Sequence, residues 1–256
     1  MSNSPTEKDL GAELERFVKE QAARFGDVIS YVPAVPHPAV AAIALEALPT
    51  VRLDLLSEKL SAHAREPWLA SKTLAELEAA IHDCQKCRLG ATRTKFVFGV
   101  GNPKANVMII GEAPGADEDE QGEPFVGRAG QLLNKMLAAV EFKREEVYIA
   151  NILKSRPPNN RDPKPDEVEA CEPYLWKQIA LIQPKLILCL GRIAGTNLLK
   201  LTDSLGKMRG IIHDFCGIQV IVTYHPAALM RNPDWKHGAW EDLKKLRRMY
   251  EALPAE

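Results

Sequence analysis

The chain has 256 residues, 46% of them hydrophobic, which suits one sizeable domain or a domain with an appendage. Its 33 basic and 34 acidic side chains give a net charge of −1, so a polyanion would have to be met by a local basic face. No apolar run reaches the roughly 18 residues that span a bilayer, and MSNSPTEKDLGAELERF has no apolar stretch of the secretory kind. A cytoplasmic location is therefore expected. In that setting the pair Cys84 and Cys87, spaced CxxC, reads as a metal or redox site and not as half of a structural disulfide.

In chain order, Leu10, Leu14, Phe17, Val18 and Ala22 recur at close to helical spacing over 5–26, ending at Gly26. Pro33, Pro36, Pro38 and Pro49 then argue for an extended or irregular connector. A second helical pattern, Leu69, Leu74, Leu77 and Ile81, leads into the CxxC pair. Residues 1–75 carry no chemical motif and read as an N-terminal helical and irregular appendage, a tether or a docking segment for an unknown protein. Residues 76–256 form the main domain.

From residue 96 the pattern changes. NVMIIGEAPG is a short apolar run closed by a Gly/Pro turn, as a buried parallel strand would be. AGQLLNKMLAAV is an amphipathic helix and VYIAN a second strand. A helix near 166–181, the strand KLILCLG, the helix RIAGTNLL and the strand IQVIVTYHP follow. This alternation predicts an α/β class fold, a three-layer α/β/α arrangement around a central, mainly parallel four-stranded sheet. Sites in such sheets lie at the carboxyl ends of strands. The GEAPG turn, Asn151 and YHP all follow strand ends, which points to one shared site.

Several residue types in those segments carry chemistry. The Asn151 amide offers an acceptor and donors, although an Asn closing a strand turn is an equal reading. Phe125 is flanked by Gly122, Pro124 and Gly127, which suits a loop position. His225 precedes Pro226 after an apolar strand, and Glu112, Asp117, Glu118 and Asp119 make an acidic turn. Between 231 and 248, Arg231, Lys236, Lys244, Lys245, Arg247 and Arg248 outnumber Asp234, Glu241 and Asp242. That run is either a solvated helix face or a phosphate contact. Cys189 and Cys216 read as small buried residues.

The CxxC pair, GEAPGADEDEQGEPFVGRAG at 111–130, NILKSRPPNNRDP at 151–163, Cys171 and YHPAALMRNP at 224–233 occur in this order. Together they resemble the uracil-DNA glycosylase superfamily, most closely its iron–sulfur thermophile-type branch, family 4, over roughly residues 80–250. The resemblance implies a monomeric, monofunctional DNA repair hydrolase. It would release uracil from single- or double-stranded DNA and leave an abasic site. It implies that Asn151 reads the pairing edge of a flipped uracil, Phe125 stacks on it, and His225 faces its O2 as the base departs. Glu112 and Ala113 would line the pocket. Mainstream relatives carry a carboxylate where Ala113 stands, so water activation is assigned instead to Glu118, which would orient water or exclude the thymine methyl. Leu229 and Met230 would wedge into the base stack, with Arg231, Lys154, Arg156 and Arg161 on the DNA backbone.

Cys84, Cys87 and Cys171 match three cluster ligands of that family, and Ser155 stands at the fourth. A four-iron, four-sulfur cluster normally takes four cysteinates, so here it is expected to be labile or incomplete. Three explanations stay open. A serine alkoxide, His82 or water completes the set; the residue was substituted by engineering; or the cluster is weak or absent. Zinc on three Cys and one His is the alternative metal, although the long spacing is unlike a compact ribbon. The alternative functions are a uracil-binding or uracil-trapping protein with little turnover, and a non-catalytic iron–sulfur protein associated with DNA.

Overall fold

Uninterrupted apolar runs set the centre of the fold in the computed structural model, which describes residues 52–254. Six strands form one sheet: β1 (Val100–Gly101), β2 (Val107–Gly111), β3 (Tyr148–Asn151), β4 (Leu186–Leu190), β5 (Ile212–Phe215) and β6 (Ile218–Thr223), in the order β1-β3-β2-β4-β6-β5. β3, β2, β4 and β6 are parallel to their neighbours in this row. Every residue of β2, β3 and β4 is buried, so neither face of the central sheet has reason to alternate with polar residues. These are the four strands expected from sequence. The sheet is larger by two antiparallel edges, β1 on β3 and β5 on β6. β1 is only two residues long, and β5 (IHDF) is half polar, so neither presents an apolar run.

Side chains of each strand divide between two cores with period two, as the pleat requires. Met108, Ile110, Ile187, Cys189, Val220 and Val222 face one core, whereas Val107, Ile109, Leu186, Leu188 and Ile221 face the other. The first core is completed by α1 (Leu53–Ser61), α2 (Leu74–Ile81), α5 (Pro165–Ile182) and α6 (Arg192–Leu199). The second is completed by α4 (Arg128–Ala139) and α9 (Lys236–Glu251). Helices thus cover both faces, and the three-layer α/β reading stands. The short helices α3 (Ala116–Gln121), α7 (Leu205–Met208) and α8 (Pro226–Arg231) belong to the connections. Cys189 and Cys216 are buried, and burial raises both thiols above the ordinary range.

The boundary placed at residue 75 falls inside this packing. Leu56, Leu60 and Trp68 are buried in the first core, and the Trp68 ring meets Tyr174 of α5 edge-on at 5.0 Å. Residues 53–70 therefore contribute to the same core as the sheet. The helix read at 5–26 and the proline-rich connector lie outside the described residues. Among the described residues no helix is long and apolar enough to cross a membrane.

Candidate active site

The carboxyl ends of β2, β3 and β6 bring three separate sequence segments together. Gly111 closes β2 directly beside Asn151 of β3 in register. A Cβ on Gly111 would lie 2.3 Å from Asn151 Oδ1 and 2.6 Å from the Phe125 ring. Only glycine leaves room there for the amide and the ring to sit together. The Phe125 ring is 5.6 Å from the His225 imidazole, tilted by 34°. On the other side, Gly191 (φ +89°) comes within 3.0 Å of the His225 Cβ when a Cβ is placed on it. Asn151 and His225 are thereby gathered from the strand ends where the sequence placed them, and Phe125 joins them from the loop between α3 and α4.

Asn151 is only 2% exposed, and its Oδ1 is buried without a hydrogen-bond partner from the protein. Leaving such an acceptor unpaired costs on the order of 1–3 kcal/mol, so the orphan marks a place for a ligand donor. His225 caps α8: its Nδ1 accepts the Ala227 N–H at 3.2 Å. With Nδ1 an acceptor, the ring proton of the neutral tautomer resides on Nε2. Burial, with a lesser contribution from Arg231, lowers the His225 pKa to about 4. The imidazole is therefore neutral near pH 7, with Nε2–H as its available donor.

Phe125 adopts φ +55°, a left-handed conformation that costs a bulky residue about 1–2 kcal/mol. Glu118 helps to hold it. One carboxylate oxygen accepts the N–H groups of Val126 (2.9 Å) and Gly127 (3.0 Å), and the other accepts that of Gly115 (3.1 Å). Glu118 thus straps the turn after β2 to the loop that carries Phe125. Its oxygens are already engaged by three donors, which corrects its assignment as the residue that orients water. Asp119 is buried and accepts the Thr94 N–H. The acidic turn is mostly structural.

Glu112 is another carboxylate of this turn. It follows Gly111 at the strand end, and burial, then the nearby Asp162 charge, raises its pKa to about 7 against the opposing pull of Arg192. Ala113 packs on the first core as a partly buried residue. Sequence reasoning placed Glu112 only in the pocket lining. Its carboxylate environment depends on Asp162 and Arg192, which are distant in sequence.

The residues assigned to the DNA backbone divide sharply. Lys154 is fully buried, with its ammonium on Asn151 O (3.0 Å) and Gln178 Oε1 (2.6 Å), so it cannot meet phosphate. Arg161 forms a two-point ion pair with buried Glu167 at 2.6 and 2.8 Å and is committed to the start of α5. Leu229 is a core residue rather than a wedge. Met230 (39% exposed) and exposed Arg231 remain at the surface, and Arg156 bonds Asn160 from a partly exposed position. The basic run on α9 is largely engaged with its surroundings: Lys244 pairs with Glu241, Arg247 with Glu251, and Lys245 donates to Gly210 O. Sequence reading missed Trp235, 41% exposed and stacked on Tyr224 at 5.0 Å beside His225. A tryptophan inside the polar turn RNPDWK was the available signal.

The cysteine segments also approach one another. Cys84 Sγ is 3.2 Å from the hydroxyl of Tyr174, one helical turn beyond Cys171 on α5. Arg93 donates both to Cys84 O (2.6 Å) and to Ser155 Oγ (3.4 Å). The Lys154 N–H donates to Cys171 Sγ at 3.2 Å, and burial pushes that thiol up to about 12. His82, the other proposed ligand, has its Nδ1 on Asp83. Among the described residues no group of three or more His, Cys, Asp or Glu side chains is arranged to hold a metal ion. Three thiols and one hydroxyl do not fit a four-thiolate cluster as they stand.

The chain is similar to known proteins over most of its described length. The family model for the uracil DNA glycosylase superfamily matches residues 98–244. A type-4 uracil-DNA glycosylase of Archaeoglobus fulgidus is 45% identical over 183 residues, covering 68% of this chain and 92% of that protein. Those of Sulfurisphaera tokodaii and Saccharolobus solfataricus are 43% and 44% identical, covering 69% and 68% of this chain and 84% and 85% of theirs. With the strand-end site and these similarities together, the chain belongs to the type-4 branch of the uracil DNA glycosylase superfamily.

Proposed function

We propose that this protein hydrolyses the N-glycosidic bond of deoxyuridine in DNA, releasing uracil and leaving an abasic site. The observation that carries this reading is the orphan Asn151 Oδ1, set beside Phe125 and His225. Uracil carries an N–H at N3, which an amide oxygen accepts. Cytosine presents an acceptor at that atom, so the same amide oxygen would face a lone pair. A base extruded from the stack would lie against the Phe125 ring. As the C1′–N1 bond breaks, negative charge grows on the uracil, and the His225 Nε2–H supports it at O2. Glu112 in its ionised form orients the water whose oxygen bonds to C1′, and the released proton passes to solvent. Met230 and Arg231 are the surface groups placed to meet the opened duplex. No step needs an amine nucleophile, so strand cleavage is left to later chemistry. Incubating the protein with a uracil-containing oligonucleotide and then with alkali tests this. Breakage at the uracil position only after alkali is expected. An oligonucleotide left intact by folded protein in excess would overturn the reading.

The approach of Cys84, Cys171 and Ser155 to shared neighbours, with the Cys87 thiol close enough to act on Cys171, supports a vestigial or labile iron–sulfur site with Ser155 in the place of the fourth thiol. A thiolate is a softer and more readily deprotonated ligand than a serine alkoxide. Ser155→Cys is accordingly expected to raise iron content and resistance to bleaching when both proteins are prepared anaerobically. Equal iron and equal stability would remove Ser155 from the ligand set.

A further inference from the structure

We infer that Lys154 is a positioning residue for base recognition, acting through Asn151 from the buried side of the loop that follows β3. It rests on the reading of Asn151 as the group that meets uracil. The sequence presents Lys154 as one more cation in a basic loop, but its side chain has no exposed surface. Its Nζ donates to the backbone carbonyl of Asn151 at 3.0 Å and to Gln178 Oε1 at 2.6 Å. Gln178, also fully buried, in turn donates to Phe98 O (3.0 Å) and to the Tyr148 hydroxyl (3.2 Å).

Among the described residues Lys154 has no carboxylate partner in an ion pair. The hydrogen bonds of this buried ammonium go to a backbone carbonyl and an amide oxygen, a costly arrangement for a buried charge, and a leucine-sized apolar group would fill such space with less penalty. The arrangement makes sense if the carbonyl it grips must be fixed. Asn151 is the last residue of β3. Beyond it, the Ile152 and Leu153 N–H groups still bond to Gly111 and Glu112, while the Asn151 carbonyl turns to the lysine. Holding that carbonyl fixes the peptide plane from which the Asn151 side chain springs. The amide oxygen then stays in the narrow space beside Gly111 and Phe125. The Lys154 backbone N–H meanwhile anchors to Cys171 Sγ, and its carbonyl accepts from Val97, so the clamp has its own footing.

A double-mutant cycle tests this, because a merely structural lysine would matter regardless of what residue 151 is. Single-turnover uracil release would be measured for Lys154→Met in the wild-type and Asn151→Ala backgrounds, with thermal melting and DNA affinity measured alongside. The expected result is a loss of roughly tenfold in the wild-type background, of the size that contacting residues show, and less than about twofold in the Asn151→Ala background. DNA affinity should be unchanged, since the side chain is out of reach of phosphate. If Lys154→Met fails to fold, Gln178→Met removes the other partner of the ammonium and should show the same background dependence. Equal losses in both backgrounds, or no loss in either, would overturn the inference. A wild-type rate for Asn151→Ala alone would overturn the base-reading role itself, which is a separate failure.

Discussion

His225→Asn is expected to slow single-turnover uracil release by about 10²–10³-fold, the usual effect of removing one donor from a developing oxyanion. Asparagine is chosen because it remains a good helix N-cap, so α8 should survive and the loss would not reflect unfolding. The pH profile gives a second reading of the same site. The His225 pKa is held at about 4, so the imidazole is already neutral at pH 5 and contributes no limb between pH 5 and 8. Glu112 is raised to about 7 and would act as the ionised carboxylate. The rate should therefore rise with pH through about 7 and level off above it. Glu112→Gln should remove that limb as well as slow the reaction. A limb unchanged in Glu112→Gln would assign it to another group.

Asn151→Ala is expected to lose uracil release by about 10- to 100-fold, following the 1–3 kcal/mol typical of a bidentate base contact. DNA affinity measured on an undamaged strand should hardly change, because Asn151 is buried and in the proposed role would meet only a flipped base. Loss of affinity in proportion to loss of rate would instead make Asn151 part of the backbone-binding surface. An unchanged rate would remove it from the site.

The contrast between Asn151 and Lys154 shows how far the sequence could be read. The buried parallel strands announce themselves because coverage on both faces leaves runs such as VMII and LILCL uninterrupted. Once those strands are placed, topology alone puts Gly111, Asn151 and His225 at one edge. The edge strands β1 and β5 escape notice because two residues, or a half-polar four, carry no pattern. The stretch 53–70 hides for a related reason: Leu56 and Leu60 sit among charges in LDLLSEKLSAHAREP, and only the tertiary fold shows them sealed against α5. Within the site, residue type could be read but occupancy could not. Glu118 looked like a free carboxylate until Gly115, Val126 and Gly127 were seen to use its lone pairs. Lys154 looked like a phosphate ligand because its partner Gln178 lies 24 residues further on. Leu229 had the sequence context of a wedge, but it faces inward while Met230 faces out.

Turnover of this site as a hydrolase of the uracil–sugar bond is tested most directly by counting free uracil. A uracil-containing oligonucleotide in several-fold excess over protein would be incubated at neutral pH, and the free base quantified by mass spectrometry against the protein present. More than one equivalent of free uracil, with an equal number of abasic sites in DNA otherwise uncut, is the predicted result. Uracil that stays in the DNA, or remains attached to the protein at no more than one equivalent, would contradict it.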